Sequence, residues 1–300
     1  MPKPHFINLV NILSADLIVK EKKRLRDGEW VNVNVTPLQI CYIGIRFLCG
    51  SNYLDICSFF SSNGLLFAIS TFYFSLHRFF QCVNECKYLQ IQFEPRKIDQ
   101  YLQSWKHMGG SCIDGICGAI DGTEIKFNSS TKKYFNYKGF KSIKVIAMVN
   151  SLHEFIFAEV TGFGSINDAK ALRETSLYTV LKSIHSTIEK INDFQILENN
   201  EYYQTCAKFE NAIILTDGGF GREVFNIKPY RKNQVTPGFR EFFNKIHCSR
   251  RIVIEQAFGE LKMTFNLFQR ALRNSFDHAK IIIEAAFKLH NYRLKYYNEN

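Results

Sequence analysis

The chain has no Cys-x-x-Cys pair, although it holds nine cysteines. No nearby Cys/His pair completes a tetrahedral zinc site around Cys82 and Cys86 or around Cys112 and Cys117. We therefore expect reduced, intracellular thiols, with Cys41, Cys49 and Cys57 acting as small hydrophobes in their apolar stretches. No signal-peptide pattern opens the sequence, and its apolar runs are too short or too interrupted by polar residues to span a bilayer. The expectation is a soluble chain without a membrane partner. Acidic residues are also in deficit: 28 Asp and Glu against 38 Lys and Arg leave a formal charge of +10. Lysine and arginine at phosphates release counterions, so a polyanion suits this balance, but basicity alone selects no activity.

What is present can build a sizeable core. Hydrophobic residues make up 46% and aromatics 15% of 300 residues, enough for one large or two modest domains. A change of texture at Met108-Gly109-Gly110-Ser111 predicts a helical domain over 1–110 and a second domain over 111–300. In the first, Leu38 to Leu48 and Phe72 to Val83 read as amphipathic helices, with Thr36-Pro37 as an N-cap and first helical residue. In the second, strand-like runs cover Ile116 to Phe127, Ile143 to Val149 and Phe155 to Val160. A helical stretch from about Asp168 to Lys190 follows, then a fourth strand from Ala212 to Leu215. The polar segment Asn192 to Asn211 reads as a surface insertion. The last third is helical, starting near Thr236-Pro237, with a buried stripe of Ile254, Phe258, Leu261, Phe265 and Phe268.

Three acids are the candidate chemistry. Asp121 and Asp217 each follow an apolar, β-branched run and precede glycine, as expected at or near the end of a buried strand. Glu255 lies inside a helical pattern. Oxygen-only ligands from two strands and a helix suit Mg²⁺ or Mn²⁺ rather than zinc, the ligand set of a two-metal phosphodiester nuclease.

Seven blocks carry a resemblance. They are Ala119 to Thr123, Lys133 to Phe140, Gly164 to Asp168, Thr216 to Phe220, Lys228-Pro229-Tyr230, Ile254 to Lys262 and Leu289 to Tyr292. Taken in this order, the sequence resembles the Harbinger-type DDE transposases and their domesticated nuclease relatives from about Cys117 to Tyr292. The resemblance implies an α/β fold, an RNase H-like catalytic domain with an N-terminal helical, helix-turn-helix-like domain. It implies that the first and fourth strands are adjacent, so that Asp121 and Asp217 meet. It also implies two divalent metal ions (Mg²⁺ or Mn²⁺) on Asp121, Asp217 and Glu255, with Asp121 bridging. The implied reaction is phosphodiester hydrolysis, followed in a full transposase by strand transfer from the freed 3′-hydroxyl. DNA is the implied partner, and relatives rely on a separate Myb-like DNA-binding protein; a homo-oligomer is a further candidate assembly, and the nucleus is the implied location. Two other readings stay open: a domesticated, non-catalytic DNA-binding or scaffold protein that retains the fold, and an RNase H-like enzyme acting on RNA.

Other residues divide between function and structure. Lys132, Lys133, Lys138, Lys141 and Lys144, interleaved with Tyr134, Phe135, Tyr137 and Phe140, suit a strand-binding loop or a solvated hairpin. Arg251, Glu255, Gly259 and Lys262 share a helical face. There Arg251 and Lys262 are candidates for DNA contact, while Arg251 with Glu255 also fits an ordinary ion pair, and Gly259 leaves room for DNA or the first strand. Lys133, Lys138, Lys141, Arg251 and Lys262 are thus the candidate DNA contacts. Asp168 matches a family position and suits a helix N-cap. His290 and Asn291 read as structural. The run Lys20 to Arg26 suits a nuclear import signal, a phosphate patch or a solvated helix end. The helix opened by Ser70-Thr71 offers Arg78 and His77 but is otherwise Phe-rich, so DNA reading competes there with packing.

Overall fold

A computed structural model describes residues 2–18, 22–24, 30–32, 35–63, 68–106, 108, 113–194 and 201–297. In chain order its elements are α1 (Lys3–Leu17), β1 (Lys22–Arg24), β2 (Trp30–Asn32), α2 (Pro37–Leu48), α3 (Tyr53–Ser62), α4 (Ile69–Glu85) and α5 (Ile98–Lys106). They continue with β3 (Ile116–Lys126), β4 (Ser142–Val149), β5 (Phe155–Phe163), α6 (Asp168–Arg173), α7 (Ser176–Phe194), α8 (Glu201–Ala207), β6 (Ile213–Leu215), β7 (Asn226–Ile227), α9 (Phe239–Thr264) and α10 (Phe276–Tyr297). The chain forms two compact units, one of Met1–Gln90 with Leu261–Asn300 and one of Ile91–Glu260. The C-terminal α10 belongs with the N-terminal helices because its buried stripe, including Ile282, Ile283, Ala286 and Phe287, is the surface it shares with them.

In the first unit, Thr36 and Gln39 form a reciprocal capping box that starts α2 with Pro37 at its first position; such a cap is worth about 1 kcal/mol. α4 begins at Ile69 on Ala68, which makes no side-chain cap, so Ser70 and Thr71 lie inside the helix. Its apolar face, with Phe72, Leu76, Phe79, Phe80 and Val83, is buried. A Cβ at Gly44 would overlap the Phe79 ring, so this glycine lets α4 close on α2. Gly44→Ala should therefore cost about 1–3 kcal/mol through overpacking, although alanine is the better helix former by about 1 kcal/mol. Urea melts check this, and a stabilised variant would remove the glycine's packing role. Lys22–Arg24 pair antiparallel with Trp30–Asn32; the rest of the basic run at Lys20 to Arg26 lies outside the described residues.

The second unit is built on a five-stranded sheet in the order β5-β4-β3-β6-β7, with β3, β4 and β5 antiparallel and β6 and β7 parallel to β3. The first and fourth strands of this unit are neighbours. It is an RNase H-like α/β arrangement. One sheet face, carrying Ile120, Ile146, Met148 and Phe157, joins a core with α5, α6 and α7 through Tyr101, Leu172, Leu181 and Ile184. The Glu159 carboxylate accepts from the backbone and hydroxyl of Ser176 and so caps α7. On the other face, carrying Asp121, Ala147, Val149 and Phe155, α9 is anchored by stacking of Phe258 on Phe155 at 5.8 Å.

Several expectations need correction. The segment Asn192 to Asn211 is not wholly surface: α8 and the following turn bury Cys206 and Phe209 in the core. α9 starts at Phe239, just after Gly238, rather than at Pro237, and Phe265 and Phe268 are buried beyond its end. Cys49 is exposed rather than buried. Burial pushes the thiols of Cys41 and Cys117 up to about 12, which keeps them protonated. Residues 109–112, including Cys112 and the glycines of the expected boundary, lie outside the described residues. Among the described residues, no helix is long and apolar enough to cross a membrane.

Candidate active site

Asp121 lies in the middle of β3, not at its end, and the chain continues straight through Gly122. A Cβ at Gly122 would overlap the Asp168 carboxylate, which approaches from the opposite face of the sheet. The glycine after the acid is therefore required by a close approach rather than by a turn. Asp217 sits two residues beyond β6, where its Oδ1 accepts from the Gly219 amide at 2.8 Å. Glu255 projects from α9.

Arg251 ties this region together. Its Nη1 lies 3.0 Å from Asp121 Oδ2, and its Nη2 donates to Glu255 one helical turn on. The ordinary ion pair expected between Arg251 and Glu255 is thus present, and sequence reasoning missed its link to β3. Asp121 and Arg251 side chains are each only 17% exposed. Burial pushes the Asp121 carboxyl up to about 6, the charges of Asp217 and Asp168 act in the same direction, and the Gly122 amide and Arg251 oppose it. His247, one turn before Arg251 on α9, is fully buried with Nε2 3.1 Å from the Ile227 carbonyl oxygen. Burial lowers its pKa and so favours the neutral ring. Among the described residues, no group of three or more His, Cys, Asp and Glu side chains is gathered as a metal site; between Asp121 and Glu255 stands a guanidinium.

The raised Asp121 pKa has a stability consequence. Well below the unfolded value of 3.8 the carboxyl is protonated both folded and unfolded, and it contributes no difference. Between the unfolded value of 3.8 and the folded value of about 6, the unfolded chain ionises first, so stability falls as pH rises. Above pH 6 the full cost applies, about 3 kcal/mol at 1.36 kcal/mol per unit, with the attraction of Arg251 already in the balance. Asp121→Asn should therefore stabilise the metal-free protein above pH 6, with most of the gain lost by pH 4. Chemical denaturation at both pH values tests this; a variant less stable than wild type at pH 7 would contradict it.

A model of the DDE superfamily endonucleases matches residues 120–291, more than half of the chain. The chain belongs to that family. No curated protein and no solved structure matches it. The matched span holds Asp121, Asp217 and Glu255, together with Lys133, Lys138, Lys141, Lys144, Arg251 and Lys262.

Those basic residues divide. Lys133 lies 5.6 Å from the Phe163 ring centre and Lys138 5.5 Å from that of Tyr137, which is 80% exposed. Lys141 donates to the Ser129 carbonyl oxygen. Lys144 does not belong with them: its ammonium is buried, 2.9 Å from Glu124 and 2.6 Å from Asp168. A lysine inside an otherwise apolar strand was the available signal, since such a charge is buried only when paired. Asp168 is correspondingly not the N-cap of α6; Asn167 caps it by accepting from the Lys170 amide. Gly259 faces open space rather than β3, and Lys262 lies near the end of α9.

Proposed function

We propose that this chain is a Mg²⁺- or Mn²⁺-dependent DNA endonuclease of Harbinger-type transposase descent, with Asp121, Asp217 and Glu255 as its carboxylate set. The observation that carries the reading is the buried Asp121 carboxylate, whose ionisation the charge of Asp217 opposes and which Arg251 holds. Burial and neighbouring acids oppose its charge, so it is a position where a cation stabilises the fold. All three donors are carboxylate oxygens, which suits a hard divalent ion. Bound there, two such ions would supply an activated water or 3′-hydroxyl and a charge sink for the leaving oxygen.

The chain's own residues do the rest. Asp121, on the central strand, sets the position of the donor set, and Arg251 exchanges its carboxylate contacts for a strand phosphate. Lys133, Lys138, Lys141 and Lys262 take backbone phosphates. Sequence selection comes from a Myb-like partner in the nucleus, because α4 is poorly equipped for groove reading. Its Arg78 donates to the Asp16 carbonyl oxygen, and Phe72, Phe79 and Phe80 are buried. Strand transfer follows cleavage where the freed 3′-hydroxyl stays at the site.

Arg251 also favours a second reading. With its guanidinium already neutralising Asp121 and Glu255, the chain is a non-catalytic DNA-binding or scaffold protein that keeps the fold. Incubating supercoiled plasmid or RNA with the protein in Mg²⁺, Mn²⁺ or EDTA separates the readings. Metal-dependent nicking of DNA supports the endonuclease. Cleavage of RNA alone overturns the DNA assignment, and no cleavage in either metal, with no metal-induced rise in melting temperature, establishes the scaffold.

A further inference from the structure

The Lys228-Pro229-Tyr230 block plays no part in the site just described, yet it forms one wall of a cavity of about 550 Å³. Four cationic side chains, Arg222, Lys228, Arg231 and Arg240, line the cavity together with Tyr230 and Phe243, and among the described residues no acidic one does. Lys228 donates to the Phe220 carbonyl oxygen and Arg240 to that of Gln234, both neutral acceptors. Four like charges converging without a carboxylate repel one another, so an anion is the ligand they favour. The Arg240 guanidinium lies 5.3 Å from the Tyr230 ring centre, and Phe243 meets the same ring edge-on at 5.4 Å. Such a cation–aromatic platform accepts the face of a flat ring. It is held in place by Asn244, whose side chain pairs with both the amide and the carbonyl of Tyr230.

The cavity also borders the neighbour of the strand that leads to Asp217. Its wall includes β7, whose Ile227 pairs with Leu215 of β6, two residues before Asp217. Phe243 precedes Arg251 by two turns of α9, about 12 Å along the axis at 1.5 Å per residue. At 3.4 Å per nucleotide of one strand that is roughly three or four nucleotides. Its volume falls within the usual range of small-ligand clefts, about 300–1,000 Å³.

We propose that this cavity holds one unpaired nucleotide of the DNA strand flanking the cleavage position, its phosphate on Arg222, Lys228 and Arg231 and its base against Tyr230 and Arg240. The identity of the strand rests on the endonuclease reading above. The ligand is single-stranded because a base reaches a recessed platform only when it leaves the duplex stack.

The test is binding by the full chain in EDTA, followed by fluorescence anisotropy with a labelled oligothymidylate and with a blunt duplex of equal length. Tyr230→Leu should weaken single-strand binding at least roughly fivefold, the lower end of one stacked base, and change duplex binding by less than about twofold. Tyr230→Phe, which keeps the ring, should restore it. Arg222→Gln with Arg231→Gln should flatten the slope of log affinity against log salt by about 1.4, since each phosphate contact on a single strand contributes about 0.7. Tyr230 is 37% exposed, and unchanged thermal melts show that the variants are folded. Equal losses on single strand and duplex, no loss for Tyr230→Leu, or competition by inorganic phosphate as strong as by oligothymidylate would each overturn the proposal. No cleavage is measured, so a chain that fails to nick DNA leaves this result standing, and a failed binding test leaves the endonuclease reading intact.

Discussion

Asp121→Asn and Glu255→Gln are each expected to lower Mg²⁺-dependent nicking of supercoiled DNA by at least roughly a thousandfold, equivalent to about 4 kcal/mol of barrier. An amide is a poor ligand for a hard dication and cannot neutralise it. The two substitutions reach the same site from different elements, a central strand and the helix across its face, and Arg251 touches both residues. Neither should unfold the protein. The metal-free Asp121→Asn chain should be the more stable one at neutral pH, so a loss of cleavage cannot be blamed on a lost fold. Metal then reverses the order: wild type at a hundredfold excess of metal over its Kd should gain about 2.7 kcal/mol, and the variants little. Nicking assays paired with thermal melts in Mg²⁺ and in EDTA read both effects. Cleavage that survives either substitution would refute the carboxylate assignment.

The second large effect lies on the opposite face of the same sheet. Lys144→Met should destabilise the protein by about 3–5 kcal/mol, because it leaves two carboxylates without their cation. Against a total stability of roughly 5–15 kcal/mol this is a large share. The Lys144 side chain is 3% exposed and that of Glu124 6%. Glu124 also accepts from the Ser142 hydroxyl, which in turn accepts from Asn136, so the network reaches into the loop between β3 and β4. Burial alone would depress the Lys144 ammonium, but hydrogen bonds and charge from Asp168 and Glu124 outweigh it and hold its pKa above the usual 10.5. The stability it contributes is therefore fully present at neutral pH and is lost only as pH rises through the raised, folded value. Adding Glu124→Gln should recover part of the loss, since replacing charged partners together costs less than removing one. Denaturant melts at pH 7 decide it; a loss below about 1 kcal/mol would show that the trio is not coupled.

Much of the scaffold is legible in the residues. Alternation and β-branched runs mark β3, β4, β5 and β6 to within a few positions, because a strand buried on one or both faces writes its burial into a period of two. Thr36-Pro37 announces α2 because capping acts within four residues. The local rules fail where a distant segment intervenes. Asp168 has the chemistry of a cap, yet Lys144 from β4 claims its carboxylate and Asn167 takes the capping role. Gly122 has the look of a turn, yet it clears space for that same Asp168.

The sequence by itself determined which acids are available, that two of them follow apolar runs and one lies in a helical pattern, and that Arg251 and Glu255 stand one turn apart. Only the tertiary structure decided what each charge meets. Alternation assigns a residue to a face of a sheet but does not say which helix covers that face, so the contact between Arg251 and Asp121, 130 residues apart, has no local trace. The same holds for Lys144, whose ammonium is buried because Glu124 on the adjacent strand and Asp168 on α6 reach it together. A buried charge is tolerated only where opposite charges converge from elsewhere in the chain, and that convergence is a property of packing.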